Sequence, residues 1–274
     1  MSAAKQGRLI VCPTPIGNLE DITLRALEAL RSADVIACED TRTTKVLLDR
    51  YEIKTPRMRY DEHVERRAAP QLLRRIIGGE SVALVSDAGT PLVSDPGFVL
   101  VGLAISEGIE VDVLPGPSAV LVALVASGLP AERWTFVGFL PRKRGELLEL
   151  FECDQTIVAF ESPRRAAASL KLLAELDPER PAALCRELTK RFEEVQRGSA
   201  AELAARFAEA APRGEVVLVI GAARSGSADR AAAEAALREL VEAGAKTRAA
   251  ATAVSRLTGI SANELYRAVA TPNS

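Results

Sequence analysis

The sequence predicts an α/β protein made of two α/β units and a small all-helical C-terminal unit. Three observations predict it. Short, continuous apolar runs alternate with segments of helical periodicity from residue 8 to about residue 116. A second alternating series runs from there to about residue 221, and the segment beyond a polar linker carries helical periodicity alone. The expected boundaries are 1–116, 117–224 and 229–274.

Taken in order, "RLIVC" reads as a buried strand because it is apolar without a break. The turn "PTPIGN" follows, then a helix starting near Asp21 with Ile22, Ala26 and Leu30 on one face and Leu27 beside them. "DVIAC" is the next strand. "TRTTKVLLDRY" and "VERRAAPQLLRRIIGGE" are helical, the second stopped by Gly78 and Gly79. "SVALVS" is a strand entering the turn "DAGTPLVSDPG", "FVLVGLAISEG" a helix ending at Gly108, and "IEVDVLPG" a strand leading into a turn. Such alternation predicts a parallel sheet. "PSAVLVALVASGLP" is a helix closed by Gly128, "TFVGFL" a strand and "PRKRGE" a basic loop. Then come "TIVAFE", a helix from Arg164 to Leu176, "AALCRE", the helix "AAELAARFAEA" and "EVVLVIG". "AARSGSADR" is small and polar enough to be a linker.

Composition excludes several classes. The 274 residues carry a net charge of -2, so no bulk basic field grips nucleic acid, and any such contact needs local patches. Cys12, Cys38, Cys153 and Cys185 form no C-x-x-C pair and sit in or beside apolar runs, which fits reduced, buried thiols of a cytoplasmic protein. His63 is the only histidine, which argues against a His-rich metal site or a Ser-His-Asp triad; no metal is expected. The first apolar run breaks at Pro13, too early for a signal peptide. The most apolar stretch, "VLPGPSAVLVALVASGLP", is split by Pro and Gly and is too short to span a bilayer.

The chemistry is expected in three turns that follow apolar strands: "PTPIGN" (13–18), "SDAGTPLVSDPG" (86–97) and "PGPSAV" (115–120). Ligands of open α/β sheets collect outside the carboxyl ends of the strands. One Gly- and Pro-containing turn is ordinary punctuation, whereas three at one end of a sheet point to a ligand. Neither G-x-x-x-x-G-K-[ST] nor G-x-G-x-x-G after the first strand is present. Glu20, Asp21 and Asp87 stand where a phosphate would want bare N–H groups and positive charge. A cationic ligand with hydrogen-bond donors and no phosphate suits these turns. S-adenosylmethionine is one, though other charged or neutral ligands satisfy the same field.

Seven stretches appear in order: "PTPIGNLEDITLRALEALRSADVIACEDTR", "SDAGTPLVSDPG", "LPGPSAV", "FVGFLPRK", "ESPRR", "CRELTKRFEEVQRG" and "GEVVLVI". Together they resemble the ribosomal RNA small subunit methyltransferase I family of the tetrapyrrole methylase superfamily, over about Arg8 to Gly221. The resemblance implies a tetrapyrrole methylase-like rather than Rossmann fold, with a cofactor cleft between two α/β domains, and a homodimer. It also implies methyl transfer from S-adenosylmethionine to the ribose 2'-hydroxyl of a decoding-centre cytidine in 16S rRNA, within the 30S subunit. "RYDEHVERR" departs from the family pattern at Asp61 and Val64, so His63 reads as part of a solvated helix start.

Carried over residue by residue, the cofactor positions are Pro15, Ile16, Gly17, Asp87, Ala88, Gly89, Pro91, Ser118 and Ala119, with Glu161, Ser162, Leu188 and Glu215 from the second unit. Ile16 and Leu188 are apolar covers, and Ser118 can donate or accept a hydrogen bond. A carboxylate or a water is expected to take the hydroxyl proton, the carboxylate candidates being Glu39, Asp40 and Asp87. Lys190 or Arg186 can hold a phosphate or lower the hydroxyl pKa. RNA contact is expected from Arg142, Lys143 and Arg144, from Arg164 and Arg165, and from Arg186 and Arg191, with Lys190 beside them. Arg66, Arg67, Arg74 and Arg75 read as a solvated helix face. The C-terminal "TRAAATAVSRLTGISANELYRAV" reads as a helix-turn-helix with its turn at Thr258-Gly259, adding Arg248 and Arg256 to the RNA grip. Two rival functions share parts of this pattern: a precorrin-type tetrapyrrole C-methyltransferase and a ligand-sensing DNA-binding regulator.

Overall fold

The computed structural model describes residues 7–223, 227–258 and 260–270. Residues 224–226 of the expected linker and Gly259 of the expected C-terminal turn lie outside the described residues.

The first unit comprises β1 (Arg8–Val11), a 3-10 turn (Leu19–Asp21), α1 (Leu24–Ser32), β2 (Val35–Cys38), α2 (Thr41–Arg50) and β3 (Arg57–Arg59), then α3 (Glu65–Ile77), β4 (Ser81–Val85), α4 (Phe98–Ser106) and β5 (Val111–Val113). Its strands form one parallel sheet in the order β3-β2-β4-β1-β5. The apolar runs are continuous because both faces are covered. Leu9 and Val11 pack with Leu72, Ile76 and Leu100, while Ile10 and Cys12 point the other way among Leu27, Leu30 and Leu48. Truncating a fully buried leucine such as Leu30 to alanine costs about 2–5 kcal/mol.

The start of α1 differs from expectation. Asn18 caps the 3-10 turn through Glu20 N, Ile22 is extended, and Thr23 Oγ1 accepts from Ala26 N at 3.0 Å, so the helix begins at Leu24 rather than Asp21. The 3-10 turn and the extended Ile22 delay the helix until Thr23, whose extended backbone and hydroxyl provide the cap. β3 escaped prediction because it is a three-residue edge strand with two arginines.

The second unit comprises α5 (Ala119–Ser127), β6 (Trp134–Phe139), α6 (Arg144–Phe151), β7 (Thr156–Glu161), α7 (Pro163–Leu176), β8 (Pro181–Arg186), β9 (Glu194–Ser199), α8 (Ala200–Glu209) and β10 (Val216–Ile220). The sheet order is β6-β7-β10-β8-β9. Only β6 and β7 are parallel; β10 runs antiparallel to β7 and β8, and β8 and β9 are antiparallel. β9, absent from the sequence reading, is a polar edge strand with no apolar run to reveal it. α6 was likewise read only as the end of a basic loop. α5 covers one face over Val158, Ala183 and Val217, while Leu147, Leu170, Leu173 and Leu203 pack the other over Ile157, Leu184 and Leu218.

The last unit is α9 (Ser227–Glu242), α10 (Thr247–Thr258) and α11 (Ala262–Ala270), closed around Leu237, Ala251, Val254 and Leu265. Among the described residues no helix is long and apolar enough to cross a membrane. All four cysteines are free; Cys12, Cys38 and Cys185 are buried, while Cys153 is only half-buried.

Candidate functional site

A cavity of about 410 Å³ lies where the carboxyl ends of the first sheet meet the ends of β7 and β8 and the start of β10. That is the place where open α/β sheets bind ligands, and the volume falls in the roughly 300–1,000 Å³ range of ligand clefts. The register of the second sheet explains its contribution. β10 is antiparallel to its neighbours, so Val216 pairs with both Glu161 and Arg186, gathering three strand ends at one point.

The loops around the cavity are tightly held. Thr14 and Gly89 exchange two backbone hydrogen bonds, and Thr14 Oγ1 donates to Ser86 O at 3.1 Å, tying the first two turns together. Gly17 lets the second unit approach: a Cβ there would stand 2.4 Å from Lys190 Cγ and 3.0 Å from Leu188 O. Asn18 N donates to Thr189 Oγ1 across the same junction. Leu92 and Ser94 on one loop, and Glu187 and Thr189 on the other, hold positive φ without being glycine. Strain of this kind persists where surrounding structure enforces it, and it clusters at functional sites.

Ile16, Ala88, Gly89, Ser118, Ala119, Glu161, Ser162, Leu188 and Glu215 all line the cavity. Pro15 and Gly17 line an adjoining groove with Asp87 and Lys190. Pro91 is buried in the loop and lines neither. Glu39, Asp40 and Asp87 line a third hollow, with Asp61 and His63, and do not reach the main cavity wall. His63 is exposed, and its backbone N–H donates to Asp61 Oδ1 at the entry to α3.

Asp95, Val93 and Phe139 also line the cavity and were not among the expected residues. Asp95 sat unnoticed in "SDPG", a stretch that reads as turn chemistry; the signal was its place in the same loop as Asp87.

Among the described residues no lysine, arginine or histidine lines this cavity, while three carboxylates do, which makes it a poor phosphate site and a good one for a cationic ligand. The three acids are not equivalent. Glu161 is spent internally: it accepts from Ser169 Oγ at 2.7 Å and Ser162 N at 2.7 Å, and pairs with Arg165 at 3.4 Å. Glu215 pairs with Lys190 at 3.1 Å. Asp95 has no ion pair among the described residues. Burial, then the charges of Glu39 and Asp87, push its carboxyl up to about 6, against a hydrogen bond from Ser86. Burial first, and neighbouring acids next, also raise Glu39 and Asp87, the latter accepting from Asp40 N at 3.0 Å.

Asp40 behaves oppositely. Hydrogen bonds from Arg42 hold it at about 2 while it caps α2. Lys190 is partly desolvated, but Glu187 and Glu215 outweigh that and raise its pKa, keeping it an ammonium.

The basic residues divide in two. Arg165 donates to Pro141 O and Leu140 O, Arg186 binds Glu194 at 2.7 Å and Arg213 O, Arg144 reaches Glu175 at 3.2 Å and Lys143 reaches Glu146 at 2.8 Å. Arg142, Arg164, Arg191, Arg248 and Arg256 are exposed and have no ion pair among the described residues. Arg66, Arg67 and Arg74 face solvent, while Arg75 is half-buried against Glu80.

Comparison with known proteins matches these features to one family. Residues 8–204 match the model of the tetrapyrrole (corrin/porphyrin) methylases. The chain is 49% identical over 265 residues to "Ribosomal RNA small subunit methyltransferase I" of Mesorhizobium japonicum, covering 94% of this chain and 90% of that one. The Thermotoga maritima protein of the same name is 44% identical, over 78% of this chain and 98% of its own. Among solved structures, uroporphyrin-III C-methyltransferase from Thermus thermophilus, complexed with S-adenyl homocysteine, has a TM-score of 0.56 at 23% identity, covering 78% and 97% of the two chains. The two five-stranded sheets, the cavity lined from the strand ends of both and these likenesses together show that the chain belongs to the tetrapyrrole methylase family, in its ribosomal RNA small subunit methyltransferase I branch.

Proposed function

We propose that this chain is a methyltransferase that uses S-adenosylmethionine to methylate small-subunit ribosomal RNA, at the ribose 2'-hydroxyl of a decoding-centre cytidine in 16S rRNA. The observation that carries this reading is the near-full-length identity to relatives named for that RNA substrate. The tetrapyrrole rival rests on fold neighbours of much lower identity. The regulator rival gives the cavity no catalytic task.

The cavity fits the cofactor: its walls are apolar and acidic, and no cation stands ready for a phosphate. Ile16, Ala88, Gly89, Ser118, Ala119, Ser162, Leu188 and Glu215 would hold it, with Pro15, Gly17, Asp87, Pro91 and Glu161 shaping the loops behind them. When bound, S-adenosylmethionine supplies a methyl group made electrophilic by a positively charged sulfur. The protein's main task is then to align acceptor and donor, which is worth several kcal/mol of the barrier. Asp95 would take the hydroxyl proton as the methyl carbon bonds to the acceptor oxygen and its bond to sulfur breaks, the cofactor leaving as a neutral thioether. It is the cavity carboxylate left without a cation, and its raised pKa suits a base working near neutrality. Glu39 and Asp87 tune it by repulsion, Asp40 braces α2, and Lys190 fastens the 187–190 loop.

Arg142, Arg164 and Arg191 hold RNA phosphates and the C-terminal unit adds Arg248 and Arg256, while Lys143 and Arg144, already paired with Glu146 and Glu175, contribute less. Arg165 and Arg186 shape the surface that presents them. Unchanged affinity for 30S particles after deletion of residues 229–274 would remove that unit's role. A homodimer of cytoplasmic chains completes the reading, supported by apolar side chains left in solvent on α4 and α5: Phe98, Ile105 and Val125 are 78%, 63% and 79% exposed. The division at 1–116, 117–224 and 229–274 belongs to the same proposal.

Incubation with methyl-labelled S-adenosylmethionine and either 30S subunits, naked 16S rRNA or a tetrapyrrole acceptor tests it. Label is expected in 16S rRNA of the 30S particle, at a linkage that resists alkali because its 2'-oxygen is blocked. Label in the tetrapyrrole alone would reverse the assignment.

A further inference from the structure

β6 enters the cavity wall through an irregularity. Its pairing with β7 is regular from Trp134↔Thr156 to Phe136↔Val158, then shifts so that Phe139 opposes Phe160. One extra residue therefore lies on β6, and Gly138 accommodates it at φ +67. In an unbroken strand Phe136 and Phe139 would face opposite sides of the sheet; the bulge returns Phe139 to the side of Phe136. Phe160 meets both rings edge to face, with centroids 5.1 Å from Phe136 and 5.5 Å from Phe139. Such contacts fix the orientation of a ring.

The two outer rings differ in what they do. Phe136 belongs to the packed face under α5. Phe139 is 61% exposed and lines the cavity, so its free surface contributes little to the core. Bulges beside active sites commonly re-aim one side chain, and here the re-aimed side chain is an oriented aromatic ring facing a ligand space. Arg142 and Lys143 follow three and four residues later, both exposed.

We propose that Phe139 is the stacking platform for the nucleobase of the acceptor nucleotide, which enters the cavity turned out of its helix. The inference rests on the rRNA-methyltransferase reading. In a paired helix the 2'-hydroxyl lies open in the shallow minor groove, but the two strands around it keep it out of a recessed cavity; bringing it to Asp95 on the cavity wall turns the nucleotide out of its helix, and the extruded base needs a surface to replace its lost neighbours. An aromatic face meets that need for any base, so Phe139 supplies affinity and position rather than base identity. Arg142 and Lys143, next along the chain, suit the phosphates flanking an extruded nucleotide.

The test compares wild type with F139A, F139L and F139W in methylation of 30S subunits, alongside S-adenosylmethionine affinity by calorimetry, thermal unfolding and oligomeric state by light scattering. F139A is expected to raise KM for the 30S particle roughly tenfold to a hundredfold. F139W should stay within a few-fold of wild type, and F139L should resemble F139A because it keeps apolar bulk without a π face. Cofactor affinity, melting temperature and oligomeric state should be unchanged. Wild-type behaviour of F139L, loss of cofactor affinity with an unchanged KM for the 30S particle, or a changed oligomeric state would each overturn the platform alone. Failure of the wild-type chain to methylate small-subunit RNA would overturn the underlying reading, and this inference with it.

Discussion

The two α/β units differ in which charges they leave unpaired. On the first unit, Glu39, Asp40, Asp61, Asp87 and Asp95 crowd the carboxyl ends of the strands, and among the described residues only Asp40 and Asp61 of these form an ion pair with an arginine. On the second, Arg144, Arg165, Arg186 and Lys190 each have a carboxylate partner, and exposed Arg142, Arg164 and Arg191 have none among the described residues. The net charge of -2 hides this division. Under the proposed function the working charges are those without a partner that also face the cavity or the solvent: Asp95 on the acidic side, Arg142, Arg164 and Arg191 on the basic side.

The largest expected effect follows from removing the unpaired acid. Asp95→Asn should lower kcat by about 10²–10⁴-fold, the range for loss of a positioned base, with cofactor affinity retained. Wild-type kcat should fall about tenfold per pH unit below about 6, where Asp95 takes up its proton, and this dependence should vanish in the variant. Stability should move the other way. The folded-state pKa lies above the unfolded value, so the folded protein holds the extra proton between about 4 and about 6, and stability falls as pH rises through that window. Asparagine removes that penalty, and chemical denaturation at pH 7 should show a gain on the order of 1 kcal/mol after allowing for solvent screening. An inactive but destabilised variant would make Asp95 a structural residue.

Breaking a paired cation should do the reverse. Arg165→Met leaves the fully buried Glu161 carboxylate with only its serine donors and frees two loop carbonyls. The expected loss is about 3 kcal/mol, at the lower end for a broken buried pair because Ser162 N and Ser169 Oγ remain. A chain of this size should then melt roughly 6–12 °C lower. RNA affinity measured well below that temperature should change little, and a selective loss of RNA binding in a fully stable variant would move Arg165 to the working group.

How far the sequence disclosed this arrangement depends on whether a signal was local. The apolar strands β1, β2, β4, β7, β8 and β10 are local patterns, and each was found. The turns beside them were found too, because Gly and Pro mark them. β3 and β9 are polar edge strands whose pairing comes from distant partners, so nothing in their own residues announces a strand. The mixed direction of the second sheet is a matter of connection and is invisible to periodicity. Pairing is just as non-local: Arg165 and Arg164 look identical in "ESPRR", yet one is tied to Glu161 and the other is not. Asp95 and Phe139 were missed for the same reason, since their importance comes from what surrounds them across the cleft.

The smallest expected effect lies in the unpaired cations, which is why it has to be measured through salt. Arg142→Ala, Arg164→Ala and Arg191→Ala should each leave stability within about 0.5 kcal/mol, because none of these side chains has an ion pair to lose within the described residues. Each should weaken 30S binding modestly at physiological ionic strength. The decisive quantity is the slope of log affinity against log salt, which should become shallower by about 0.7–0.9 for every phosphate contact removed. Arg144→Ala is the matched control, since its guanidinium already has Glu175 at 3.2 Å and gains less from a phosphate. Equal slopes for Arg142→Ala and Arg144→Ala would mean that pairing in the free protein does not decide which cations meet RNA. A shallower slope for Arg142→Ala alone would show that the cations without partners are the ones that touch it.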